Sequence, residues 1–500
     1  MGVIQRQSIR SSVFIMLGFA IGAFNMLIIA PKVLSSTQLG LTRVITDAAL
    51  TLATLCTLGS HPIIYKFFPF YKRHLTPQQN DLPLISGMVS LLGFVIVCAV
   101  GYAARDIIIR KFSARSPLFV EYSWLVYPFC FLMLVYMWLE SFAWGFRKGV
   151  LSNALREGLT RVWFTVLMVL FAFHIMSFKT FLVLFAVSYA LPVLILYIVL
   201  RRTREFFFIT TISSLTRRLK DKMLNLGLFL FGAQFLNLLS RTIDTFIISA
   251  KAERGLADAA VFTIAVYVIT LMEVPQRSMN SITIPVLAES WKNKDMKNIT
   301  HIYNRSVTNL LVIGLIMFFL ILLNVHNLAF FLGKDYKGIE GVIFFLGVGK
   351  LIDLGTGANA QIIGTSNYWK VDFTTNVIYT LVALPLNYIL ISKYGLMGAA
   401  YSSLISLSFY NLMRYSFLWY KFRLQPYSWK HLLVIILAFA AAFAAWCIPR
   451  FPSGITDTAL RTTAFCGLFF PALYFSRLSP DANEAVLRYV RQLRGYLGRN

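Results

Sequence analysis

The chain has 500 residues, of which 58% are hydrophobic and only 14% charged, and its mean hydropathy is +0.68. Soluble domains carry roughly a quarter of their residues as charges, so a soluble enzyme or binding module is excluded, and no polar stretch is long enough to fold as one. The net charge of +26 does not mark a nucleic-acid binder either, because the bases cluster beside apolar segments rather than along a soluble basic face.

A transmembrane helix needs roughly 20 apolar residues. That length predicts an all-α polytopic membrane protein with about fourteen spans, near residues 12–31, 40–68, 83–104, 120–145, 150–173, 178–200, 223–250, 257–284, 306–325, 339–359, 368–391, 395–420, 430–449 and 458–476. The first follows Arg6 and Arg10 as a signal peptide would, but it is long and enters another span without a small-residue cleavage site, so it reads as a retained helix. The first six segments and the next six share a spacing of paired spans around a basic loop. The chain therefore divides into a six-helix bundle (1–200), a basic linker (201–222), a second six-helix bundle (223–421) and an appended helix pair with a basic tail (422–500). Transporters built from two such bundles bind substrate around a central cavity near mid-membrane.

Basic residues set the orientation. With the N-terminus inside, inner loops hold twenty-nine and outer loops thirteen, which predicts that both termini and residues 201–222 are cytoplasmic. The loop at 105–115, with four bases, runs against this bias. Cys56, Cys98, Cys130, Cys447 and Cys466 all fall in apolar segments, where thiols behave as small hydrophobes; they suggest neither a disulfide framework nor a metal site.

Residues 386–404 read Leu-Asn-Tyr-Ile-Leu-Ile-Ser-Lys-Tyr-Gly-Leu-Met-Gly-Ala-Ala-Tyr-Ser-Ser-Leu. This resembles the "lN-x-x-L-I-x-K-Y-G-x-x-G-A-A" signature of polysaccharide exporters in the multidrug/oligosaccharidyl-lipid/polysaccharide (MOP) superfamily, the Wzx-like, MATE-related branch. Residues 34–41, Leu-Ser-Ser-Thr-Gln-Leu-Gly-Leu, resemble the turn that leads into the family's second helix. The resemblance implies a flippase of the bacterial inner membrane that carries a polyprenyl-diphosphate-linked oligosaccharide to the outer leaflet during O-antigen or exopolysaccharide synthesis. Physically, the Tyr394-Gly395 and Gly398-Ala399-Ala400 run suits a tight interhelical turn followed by close packing.

Five bases lie within spans: Arg43, Arg241, Arg277, Lys350 and Arg414. Four have an acid three or four residues away, namely Asp47, Asp244, Glu273 and Asp353, on the same helical face. These pairs have two readings. They are self-neutralised packing pairs, or bases from which an anionic headgroup displaces the acid. Arg414 has no acid within a turn, and its guanidinium fork matches phosphate oxygens; its alternative is snorkelling to the cytoplasmic interface. Glu140 and Asp372 are acids without a cation at helical spacing. Glu140, with Asp244, Asp353 and Glu273, is a candidate for a coupling proton or sodium ion, and Asp372 reads as interfacial beside Lys370. With five bases and six acids the spans are near neutral, so a diphosphate cavity requires the bases to be turned inward, or borrows Arg147, Lys148 and Arg161 at the cytoplasmic mouth.

Trp138 and Tyr136 neighbour Glu140 and could stack on sugar, although tryptophans near span ends also form the interfacial belt. Asn25, Gln234 and Asn237 could bind sugar hydroxyls or join helices. Pro275, between Glu273 and Arg277, permits a break that would aim this pair into a cavity.

The leading reading is a flippase for lipid-linked oligosaccharide, embedded in membrane lipid, monomeric, beside polysaccharide-assembly enzymes, with no nucleic-acid partner. A cation-coupled antiporter for drugs or organic cations is the alternative, and a membrane glycosyltransferase or polymerase ranks third. The sequence carries no nucleotide-binding loop, metal cluster or nucleophile constellation, which points to a transporter without cofactor rather than an enzyme.

Overall fold

The computed structural model describes residues 17–478 and 484. Arg6, Arg10 and the basic tail lie outside the described residues. All regular elements among the described residues are helical. Among the described residues the apolar segments expected from hydropathy fall on helix, but nine helices there, or up to ten if a bent pair is one span, are long and apolar enough to cross a membrane. The count of about fourteen is therefore not reached as unbroken spans, because several segments are broken or merged. Segment 40–68 is two helices, Ser36–Cys56 and Ser60–His74, separated where Leu58 and Gly59 take positive φ. Segment 150–173 is interrupted by a π-helical turn, Leu155–Leu159. The two segments at 368–420 join as Trp369–Phe422, with non-helical Gly395 (φ 56°, ψ −134°) inside.

The sequence signatures have local causes. Ser35 caps the helix Ser36–Cys56: its Oγ accepts from the Gln38 amide (3.2 Å) and the Gln38 Oε1 accepts from the Ser35 amide (3.0 Å), a reciprocal capping box. Gly40 follows because a Cβ there would lie 1.8 Å from the Leu256 carbonyl oxygen. At the second signature, Gly395 makes the turn and Gly398 lets the returning helix approach, since a Cβ would meet the Leu390 oxygen at 2.1 Å.

The chain forms two compact units, Met1–Ile264 and Ala265–Asn500. The helix Ser214–Lys251, which follows the basic segment, packs with the first unit against Ser36–Cys56 and Ser60–His74. Its start is tied down by Asp81, which accepts hydrogen bonds from the Ser213 amide (2.8 Å), the Ser213 hydroxyl (3.0 Å) and the Thr216 hydroxyl (2.9 Å). An aromatic core of Phe68, Tyr71, Tyr136, Trp138, Phe142 and Phe206 lies behind it.

In the second unit, Leu287, Tyr303, Ile362 and Leu418 are among the residues of a buried cluster. The appended helices Trp429–Trp446 and Gly454–Ser476 pack on Met296–Leu332. Asn327 donates there to Asp457 (2.8 Å) and Thr458 (3.0 Å). Arg461 pairs with Asp457 (3.0 Å) and donates to the carbonyls of Ala445, Trp446 and Ile448, so this one guanidinium ties down the turn between the helices.

Candidate functional site: charge networks inside the spans

In the first unit, charged groups pair both within one helix and between helices. Arg43 pairs with Asp47 one turn on (2.9 Å), as helical spacing predicts. Glu140 departs from expectation: it is not an isolated acid. Arg156, on the next segment, donates to it from Nη1 (2.9 Å) and lies 3.3 Å from Glu157 through Nε. Glu157 also binds Arg161, whose Nη1 donates to the Gly18 carbonyl (2.6 Å). Two π-helical turns, Asn25–Ile29 and Leu155–Leu159, meet in this network, and such turns are often found at functional sites. Arg156 is the residue that sequence reasoning missed. Its partner is sixteen residues away, outside any same-helix spacing.

In the second unit a polar chain runs from Arg277 to Glu273 (2.8 Å), to Lys350 (3.1 Å) and to Asp353 (2.8 Å). It continues through Asn411, which donates to Asp353 (3.1 Å) and accepts from Thr356 (2.8 Å) and Asn359 (3.1 Å). The helix is interrupted where Pro275 permits it: Leu256–Thr270 gives way to a 3₁₀ turn, Leu271–Glu273, before Val274–Lys292. Glu273 thus ends one helical piece while Arg277 occupies the first turn of the next.

Arg414 is corrected most. Its side chain is 7% exposed, its guanidinium pairs with Asp372, and it lies 3.9 Å over the Tyr410 ring. The two groups that helical spacing leaves without partners on their own turns pair with each other.

Exposure orders acid and base in both senses: Lys350 is less exposed (11%) than Glu273 (32%) and Asp353 (16%), whereas three arginines are more exposed than their acids. Side chains are 35% exposed for Arg43 against 2% for Asp47, 37% for Arg156 against 4% for Glu140, and 63% for Arg277 against 32% for Glu273. In each of these three pairs the carboxylate lies beneath and the guanidinium faces out. Gln234, Asn237 and Arg241 are exposed along the helix Ser214–Lys251, and Asp244 is buried. Intramembrane polar groups face water or protein rather than lipid, so this stripe marks a wet face.

The sugar-stacking candidates sit in the core. Trp138 donates to the Ser86 hydroxyl (3.0 Å) and packs against Phe142 and Phe206; Tyr136 is fully buried and donates to the Ser152 carbonyl. Neither ring is open to a ligand. Asn25 joins helices, donating to the Arg161 carbonyl (3.0 Å) and accepting from Thr165 (2.9 Å).

No family model and no curated protein matches the chain. Among solved structures, it is similar to the lipid II flippase MurJ in an inward closed conformation, with a TM-score of 0.70 and 14% identity over 93% of this chain and 99% of that one. An inward-facing multidrug resistance MATE transporter of the MOP superfamily matches with a TM-score of 0.65 and 17% identity, over 83% of this chain and 98% of that one. This chain has the fold of the MOP-superfamily transporters. A MOP transporter from Pyrococcus furiosus, described as having a binding pocket of reversed polarity, shares the MOP fold at a TM-score of 0.56 and 16% identity, over 85% of this chain and 96% of that one. With its apolar helices, the MOP fold makes the chain a multi-pass membrane protein.

Proposed function

We propose that the protein is a flippase of the bacterial inner membrane that moves a polyprenyl-diphosphate-linked oligosaccharide from the cytoplasmic to the outer leaflet by alternating access. The observation that carries this reading is the exposure order within three of the arginine ion pairs. The Arg43, Arg156 and Arg277 guanidiniums are presented outward, while their carboxylates lie beneath. Arginine forks bind phosphate oxygens bidentately, and an arriving diphosphate would replace the acid at each fork. Glu140, Glu273, Asp353 and Asp244 then serve as acceptors for a coupling proton or sodium ion. The resemblance at 386–400 to polysaccharide exporters supports a lipid-linked glycan as cargo without selecting which one, and both termini are cytoplasmic in this reading.

The test is reconstitution of the full-length protein in liposomes with a polyprenyl-diphosphate disaccharide labelled on the sugar, its transbilayer movement read by quenching with an impermeant reductant. Wild-type protein should accelerate movement, and Arg277→Gln with Arg156→Gln should abolish it. Absence of movement for a series of diphosphate-linked glycans by folded protein would overturn the reading.

The antiporter reading keeps its own support: the acid is the more exposed partner in Arg414–Asp372, 29% against 7%, and in both pairs that Lys350 makes, with Glu273 and Asp353. Uptake of an organic cation driven by a proton or sodium gradient in the same liposomes would establish it.

A further inference from the structure

The segment at 105–115, which runs against the basic asymmetry of the other loops, forms the helix Arg105–Phe112. It connects the spans Pro77–Ala103 and Pro117–Gly145, so it lies at the membrane surface. Ile108, Ile109 and Phe112 are half-buried, with Phe112 against Phe119 at 5.0 Å. Ile107 is 53% exposed. Arg105, Arg110 and Lys111 are exposed and make no ion pair among the described residues.

The turn that follows is pinned to another loop of the same unit. Arg115 Nη1 donates to the Glu253 carbonyl (3.1 Å), and the Ser116 hydroxyl donates to the Ser249 carbonyl (2.6 Å). Residues 105–116 and 251–258 together hold six bases and three acids, and one of those acids, Asp258, is bound by Arg254 at 2.7 Å. Just below the bases, Val100 and Tyr102 are exposed on the apolar span that leads into the helix.

We propose that this end of the first unit is a docking site for the phosphate headgroup of an anionic phospholipid, with Arg105, Arg110 and Lys111 as its ligands and Ile107 in the acyl layer. A soluble anion would use the bases but leave Ile107, Val100 and Tyr102 unexplained. An interfacial helix with bases above an exposed apolar belt matches both parts of a lipid. The net positive charge selects an anionic over a zwitterionic headgroup. The assignment is independent of what the protein transports.

The experiment uses the full-length protein in detergent, supplied with equal phosphatidylglycerol and phosphatidylcholine, and counts retained lipid by native mass spectrometry. Phosphatidylglycerol should be retained preferentially. The triple variant Arg105→Gln, Arg110→Gln, Lys111→Gln should weaken its retention by about tenfold or more, since each base near an anionic surface contributes about fivefold. Equal retention of the two lipids, or unchanged phosphatidylglycerol on the triple variant, overturns the proposal. Displacement by farnesyl diphosphate at lower concentration than by phosphatidylglycerol would overturn it in favour of an isoprenoid diphosphate. A photoactivatable phosphatidylglycerol should label residues 105–116 of the wild-type protein; labelling confined to other peptides rejects the site whether or not the triple variant folds.

Discussion

Arg414 and Asp372 close an ion pair across forty-two residues, from opposite sides of the break at Gly395 in Trp369–Phe422. The pair joins the two arms of that hairpin, and the Tyr410 ring beneath the guanidinium adds a cation–π contact. A group held in this way is a packing element. Arg414→Gln or Asp372→Asn alone should destabilise the protein by about 1–3 kcal/mol, below the value for a fully buried pair because Asp372 is partly solvated. The double variant should recover much of that loss and transport normally. Thermal unfolding and liposome flipping at matched protein level measure both, and a stable double variant that fails to transport would return Arg414 to the binding site.

Arg277 should behave in the opposite way. It is exposed and ends its network, so removing it leaves stability nearly unchanged. Arg277→Lys retains charge without the fork, and Arg277→Gln retains neither. Flipping should fall stepwise, by about tenfold or more for Gln, as expected for loss of a charged hydrogen bond. Full activity of the Gln variant would exclude Arg277 as a ligand.

The Glu140–Arg156 pair predicts an asymmetry. Arg156→Gln leaves a buried carboxylate without its cation and should cost about 3–5 kcal/mol. Glu140→Gln leaves Arg156 its second acid, Glu157, and should cost distinctly less. Melting temperatures of the two purified variants decide the matter; equal losses would show that Glu157 contributes nothing.

Two glycines separate crowding from backbone strain. Gly40→Ala places a methyl group against the Leu256 carbonyl, and overpacking of this kind costs about 1–3 kcal/mol. Gly395→Ala has open space around it, and its loss should be confined to about 1–3 kcal/mol of backbone strain, because φ 56° with ψ −134° is a conformation that glycine alone adopts readily. A conservative repacking variant at Leu256 should therefore rescue neither, because the obstacle at Gly40 is backbone.

Orientation is checked at Arg218, exposed near the start of Ser214–Lys251. In a background lacking Cys447, a cysteine there should resist an impermeant maleimide in intact cells and react after permeabilisation. Labelling from outside would reverse the assigned topology.

Local features were legible in the sequence. Arg43–Asp47, Glu273–Arg277 and Lys350–Asp353 follow from helical spacing alone, and the turn at Gly395 follows from its glycine. Contacts between helices were not: Glu140–Arg156, Glu273–Lys350 and Arg414–Asp372 join residues whose separation along the chain carries no periodic signal. Hydropathy also could not show which way Trp138 and Tyr136 point. An aromatic side chain in an apolar run has the same pattern whether it lines a wet face or fills a core. The joining of Ser214–Lys251 to the first unit depends on packing with Ser36–Cys56 and on the Asp81 hydrogen bonds, neither of which leaves a mark in composition.

The Glu140–Arg156 bridge also bears on biogenesis. A helix such as Ser36–Cys56 carries its base and acid together, so it can leave the translocon already neutral. Val126–Gly145 emerges with Glu140 unmatched, because Arg156 has yet to be delivered by the chain behind it. A lone carboxylate raises the insertion cost of its helix by about 2.5–3.5 kcal/mol, so delivery of Arg156 lowers that cost and favours entry of the two segments together.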